Sequence, residues 1–213
     1  MKVIYENKDY VIIIKPHGVL SQKDVGGENG LVEMLSEQLG QTVYPVHRLD
    51  RPVGGVMVYA KNKKTAARLS ENGAFDKTYL AVCLAPPPEF PITGEMEDYL
   101  YKDSAKGKSF AVKTERRGAK LARLAYEVLA VCDGLALMRI RLFTGRTHQI
   151  RVQLSSRGMP IAGDGKYGSR LKGEFISLWS HSLTVGSSVF SALPDGSDPY
   201  FATFSSVLKE LDN

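Results

Sequence analysis

Cysteine is scarce, with two among 213 residues. That excludes a disulfide scaffold. Cys83 and Cys132 each lie in an apolar run, residues 81–84 and 129–131, so reduced core thiols of a cytosolic chain are expected. Long hydrophobic runs are missing too. The longest early one, residues 11–14, is a strand and not a membrane span. The opening Met1-Lys2-Val3-Ile4-Tyr5-Glu6 has no signal-peptide h-region. Secretory and membrane readings therefore fail, and a cytoplasmic chain is expected. Histidine is sparse, and His17, His47, His148 and His181 show no HxxH or HExxH spacing. With no CxxC either, no metal site is expected. Gly163-Asp164-Gly165-Lys166 is not a Walker A loop, and neither GxGxxG nor a serine nucleophile elbow occurs.

A local absence says more. From 134 to 163 there is no Asp or Glu, yet Arg139, Arg141, Arg146, Arg151 and Arg157 fall there. The formal net charge of the chain is only +5. An acid-free basic stretch is the electrostatic footprint of an anionic partner.

What remains is an ordinary globular balance, 43% hydrophobic and 24% charged, of a length suited to one domain spanning 1–213. Strands are expected at 4–7, 10–15, 56–60, 77–85, 110–113, 175–185 and 201–204. Residues 119–131 and 135–143 read as a hairpin around Asp133-Gly134. Helices are expected at 30–39, stopped by Gly40, at 63–72, ended by Gly73, at 148–157 with Thr147 as N-cap, and at 205–211. Residues 90–118 read as polar. Strand runs outnumber helices and many are hairpin-spaced, which predicts an α+β fold with a largely antiparallel sheet.

Three constellations could carry chemistry. In Val46-His47-Arg48-Leu49-Asp50-Arg51-Pro52-Val53-Gly54-Gly55, an aspartate sits between arginines in a constrained loop. It suits an anionic nucleophile or base, and it also suits a structural aspartate that caps a turn and pairs with an arginine. In Gly145-Arg146-Thr147-His148-Gln149-Ile150-Arg151-Val152, a strand delivers basic residues to a helix start. That suits a phosphate site, or a solvated basic helix. In Asp76-Lys77-Thr78-Tyr79, Lys77 and Tyr79 share a strand face, so Tyr79 could stack on a base or sit in the core.

Together with Ile12-Ile13-Ile14-Lys15-Pro16-His17-Gly18, Gly158-Met159-Pro160-Ile161-Ala162-Gly163-Asp164 and Tyr167-Gly168, these segments resemble the RluA-type pseudouridine synthases. The resemblance runs from about residue 4 to 204. It implies a mixed, mostly antiparallel, bipartite sheet with flanking helices and a central active-site cleft. It implies the catalytic domain alone, without an S4-type RNA-binding domain. The implied reaction is isomerisation of uridine to pseudouridine in ribosomal or transfer RNA, after the base is flipped from its stack. Asp50 matches the catalytic aspartate, Tyr79 the stacking tyrosine, and Arg151 the arginine that pairs with the aspartate. Arg48 matches a residue that can fill the gap left by the base. His47, Lys61, Lys64, Arg139, Arg141, Arg146, Thr147, His148 and Arg157 are expected to hold RNA. Val53-Gly54 stands where the family places hydroxyl residues, which implies altered loop geometry. No redox step or hydrolysis is involved, so no cofactor is expected. RNA is the expected partner of a monomer. A catalytically silent RNA-binding or ribosome-assembly module on the same fold is the competing expectation.

Overall fold

A computed structural model describes residues 1–71 and 75–211. It divides into two compact units. The first comprises Met1–Lys77 and Trp179–Pro194, the second Thr78–Leu178 and Asp195–Asn213. The strands are β1 (Lys2–Glu6), β2 (Tyr10–Lys15), β3 (Tyr44–Pro45), β4 (Gly54–Ala60), β5 (Phe75–Leu84), β6 (Thr93–Asp103), β7 (Lys108–Val112), β8 (Ala119–Cys132), β9 (Leu135–Leu142), β10 (Leu178–Val185) and β11 (Ser188–Ser191). The helices are α1 (Leu31–Leu39), α2 (Lys63–Ser70), α3 (Gln149–Ser155), α4 (Pro199–Ala202) and α5 (Ser205–Glu210).

In the first unit the strand order is β1-β2-β4-β10, with β3 on β4 and β11 on β10. β4 is buried along its whole length, as an interior strand of unbroken apolar sequence must be. It pairs antiparallel with β2, Ile12 opposite Val58, and parallel with β10, Trp179 opposite Gly54. Tyr10, Ile12, Val56, Val58, Leu69, Leu183 and Val185 form its core. Helix α1 ends at Gly40, which takes the left-handed conformation expected of it. The basic helix is shorter than its pattern suggested, since α2 stops at Ser70; Asn72 and its expected stop, Gly73, lie outside the described residues.

In the second unit the order is β5-β9-β8-β6-β7, and β9–β8, β8–β6 and β6–β7 all pair antiparallel. β8 and β9 close through Asp133 and Gly134, both at positive φ (51° and 73°). That is the two-residue hairpin turn whose twist matches the strands. α3 lies almost wholly buried against this sheet, with Leu100, Ala122, Val152 and Tyr167 in one cluster.

Four sequence expectations are corrected. Residues 201–204 are not a strand: α4 begins with Asp198 accepting from the Tyr200 N–H, and Phe201, Phe204 and Leu208 are buried at helical spacing. Thr147 is not the α3 cap; His148 holds that position at φ 55°, and the Gln149 carboxamide accepts the Arg146 N–H instead. Cys132 is exposed, because it ends β8 beside the turn, whereas Cys83 is a buried thiol. The polar stretch 90–118 contains the 11-residue β6, whose outer face carries charges that mask its alternation. No described helix is long and apolar enough to cross a membrane.

Candidate active site

The loop carrying Asp50 belongs to the first unit. Its backbone turns on a bond from the Val53 N–H to the Asp50 carbonyl, 3.0 Å. Beneath it lies Lys15, fully buried at the end of β2. The Lys15 ammonium donates to the carbonyls of Pro16 (2.9 Å), Arg51 (3.1 Å) and Val53 (2.7 Å). Three acceptors saturate its three N–H groups, so one charge gathers the loop from three points. Burial pushes its pKa down to about 7, while the Asp50 carboxylate acts in the opposite direction. Gly54 and Gly55 then open β4. A Cβ at Gly55 would meet the Ser180 carbonyl at 2.2 Å, and its φ is +117°. Glycine is thus required where Asp50's loop enters the sheet.

The neighbours of Asp50 are occupied differently from what their charge suggests. Arg51 turns to the Gly18 carbonyl and to Glu28. Arg48 is exposed. His47 accepts the Val58 N–H at Nε2 (3.3 Å), and its ring lies 5.2 Å from that of Phe75. Burial and the Lys77 charge lower its pKa to about 3, so it is neutral at physiological pH. Its Nδ1 is buried with no partner among the described residues. Lys61 is tied to Glu6 (2.6 Å) and to the Asn7 carbonyl, whereas Lys64 is exposed on α2.

In the second unit, Tyr79 is buried on β5. Arg151 is buried on α3, and its Nε and Nη2 donate to the two oxygens of Asp164 at 2.7 and 2.8 Å. This bidentate fork fixes the plane of the guanidinium. The Tyr167 ring lies 4.9 Å from it. The Tyr167 hydroxyl accepts the Ser109 N–H (2.9 Å) and lies 2.7 Å from His148 Nδ1. Gln149 ties the start of α3 to the Arg123 carbonyl (3.0 Å) and to the Thr144 hydroxyl (2.8 Å). Lys15, Asp164, Tyr167 and Gln149 stand in the motifs quoted from the sequence, but none was given a role there. Lys15 did carry a signal, since it continues a wholly apolar strand.

The arginines of the acid-free stretch find carboxylates from outside it. Arg139 pairs with Glu127 and Arg157 with Asp98 (2.9 Å). Arg146 donates to the Leu121 carbonyl, while Arg141 is exposed beside Phe143. Thr147 is half-buried in the turn before α3.

A mixed, mostly antiparallel sheet does not by itself define an activity; the class is given by the sequence. The family model for RNA pseudouridylate synthase matches residues 9–156, and the chain belongs to that family: it is an RNA pseudouridine synthase, an isomerase. An uncharacterized RNA pseudouridine synthase of Haemophilus influenzae is 34% identical over 79% of this chain and 74% of the relative. The ribosomal large subunit pseudouridine synthase D of Borreliella burgdorferi is 30% identical over 86% of this chain, which spans 60% of that protein. The solved structure of human RNA Pseudouridylate Synthase Domain Containing 4 shares the fold, with a TM-score of 0.74 at 23% identity over 98% of this chain and 93% of that one.

Proposed function

We propose that this enzyme isomerises particular uridines in ribosomal or transfer RNA, with Asp50 as its catalytic carboxylate. The observation that carries the reading is the seat of Asp50: a turn gathered by the buried Lys15 ammonium and followed by an obligatory glycine. A carboxylate held on so constrained a loop is preorganised for attack on a fixed atom.

The reaction breaks N1–C1′, turns the base and joins C5 to C1′. Asp50 serves either as nucleophile on C1′ or as base for a ribose proton, giving a glycal-like intermediate. Both routes need the ionised carboxylate. In the first, the N1–C1′ electrons leave with uracil; C5 of the turned base then attacks C1′ and expels Asp50. The C5 proton is lost last, a relay assigned in this reading to the Tyr79 hydroxyl. The Tyr79 ring offers a face for the flipped base. Arg151, oriented by Asp164, supplies a guanidinium that favours the ionised carboxylate. Arg48, Lys64, Arg141 and Arg146 take phosphates, with Thr147 and His148 at the turn before α3. His47, neutral, contacts RNA only as a hydrogen-bonding ring, and Lys61, Arg139 and Arg157 reach phosphate only by exchanging their carboxylates. The enzyme works as a cytoplasmic monomer without cofactor.

Asp50→Asn removes the anion and keeps the shape. In a single-turnover assay on RNA carrying 5-fluorouridine, it should yield no rearranged base while RNA affinity stays within a few-fold. Activity within tenfold of wild type would remove Asp50 from this role. Mapping pseudouridines in total RNA from a strain lacking the protein identifies the target.

A further inference from the structure

The segment 99–120 carries seven Lys or Arg and two Asp or Glu, an excess equal to the net charge of the whole chain. Among the described residues, its one ion pair is the loose contact of Lys106 with Asp103, 3.9 Å. The acid-free stretch is different: three of its arginines are paired.

The segment is the end of the β6–β7 hairpin and the loop into β8. One face packs inward, with Leu100 and Ala122 buried beside Ala111. Strand alternation turns Tyr99, Tyr101, Phe110 and Val112 to the other face. Tyr101 stands directly opposite Phe110, and Tyr99 opposite Val112. Phe110 is 37% exposed, so part of its ring is open to solvent. The Arg116 guanidinium lies 4.7 Å from the Tyr101 ring. The Lys106 and Lys108 ammoniums lie 5.8 and 5.6 Å from the Phe110 ring. Acids on the same face are Asp103, at the hairpin end, Glu95 and Glu97, both bound to Arg123, and Glu127, bound to Arg139. The hairpin is anchored, since the Ser109 N–H donates to Tyr167, whose ring also stacks near Arg151.

Adjacent rings on a solvent-facing sheet, bordered by uncompensated cations, suit one kind of partner. Bases stack on the rings and on the guanidinium plane, and the phosphates between them take the ammoniums. A duplex hides its base faces and cannot use the rings. The geometry points to a second RNA contact in this enzyme: the Tyr101–Phe110 face, with Lys106, Lys108 and Arg116, holds unpaired nucleotides of the substrate strand other than the reacting uridine. This rests on the reading of the chain as acting on RNA.

The test measures affinity for a 12-nucleotide oligouridine and for a duplex of matched length, at fixed salt. Tyr101→Leu/Phe110→Leu keeps apolar bulk and removes both aromatic faces. It should weaken oligouridine binding about tenfold or more and duplex binding much less. Arg116→Gln/Lys106→Gln should weaken both probes and flatten the salt dependence. Photocrosslinking of 4-thiouridine RNA to the wild-type protein should label peptides from 99–120, a readout that needs no variant. Unchanged affinity in both variants, or crosslinks confined to other segments, overturns the second contact. Failure of the wild type to bind RNA or to make pseudouridine would instead overturn the reading beneath it.

Discussion

Arg151 and Asp164 form a fully buried ion pair, and such a pair divides structural from chemical importance. Neutralising Asp164 takes a bidentate anionic partner from a buried guanidinium, so Asp164→Asn should cost about 3–5 kcal/mol in chemical denaturation. Removing both with apolar replacements, Arg151→Met/Asp164→Leu, should restore much of that loss. If the guanidinium serves catalysis, the double variant stays inactive although refolded in stability. Recovery of activity along with stability would leave the pair a purely structural one. His47 makes a second test through pH. Its folded pKa of about 3 lies below the ordinary value of 6.5, so between these pH values the unfolded chain binds a proton the folded chain does not. Stability must therefore fall as pH drops from about 6.5 toward 3, with a slope contribution of up to about 1.4 kcal/mol per pH unit. In His47→Gln that contribution should vanish from the acid limb of a denaturation series.

At the scale of elements, Gly55 fixes where β4 can accept β10. Gly55→Ala would drive a Cβ into the Ser180 carbonyl, at a backbone conformation that alanine rarely adopts. We expect a loss of about 3 kcal/mol or more, read as a lowered denaturation midpoint. The Gly-Gly pair was legible in the sequence as a constrained loop, but its reason was not, because Ser180 is 125 positions away. The same divide runs through the other elements. The β8–β9 hairpin was readable because Asp133-Gly134 is a local signal. β6 was not, because Glu95, Glu97 and Tyr99 on its outer face hide the inward pair Met96 and Leu100. Residues 201–204 misled because two phenylalanines suggest a strand until Leu208 completes the helical spacing.

At the scale of the whole molecule, sequence charge and spatial charge part company. Stretch 134–163 looked like the RNA footprint because its acids are absent locally, yet Glu127, Asp98 and Asp164 return from elsewhere to Arg139, Arg157 and Arg151. Segment 99–120 looked merely polar, although among the described residues its seven cations have a single loose ion pair. Site motifs were legible because each is contiguous, whereas the contacts that Lys15 and Asp164 make between motifs arise only on folding. The two charge maps make opposite predictions for salt dependence. Each phosphate neutralised adds about 0.7–0.9 to the magnitude of the log–log slope of affinity against salt. Lys106→Ala and Arg116→Ala should each lower that magnitude by roughly this amount. Arg139→Ala and Arg157→Ala should change it far less, because RNA must first displace a carboxylate from each, and the freed acid repels the phosphate that replaces it. Filter binding of the oligouridine between about 50 and 200 mM salt resolves differences of this size. Slopes that fall for Arg139→Ala and Arg157→Ala but hold for Lys106→Ala and Arg116→Ala would return the RNA path to the arginine stretch.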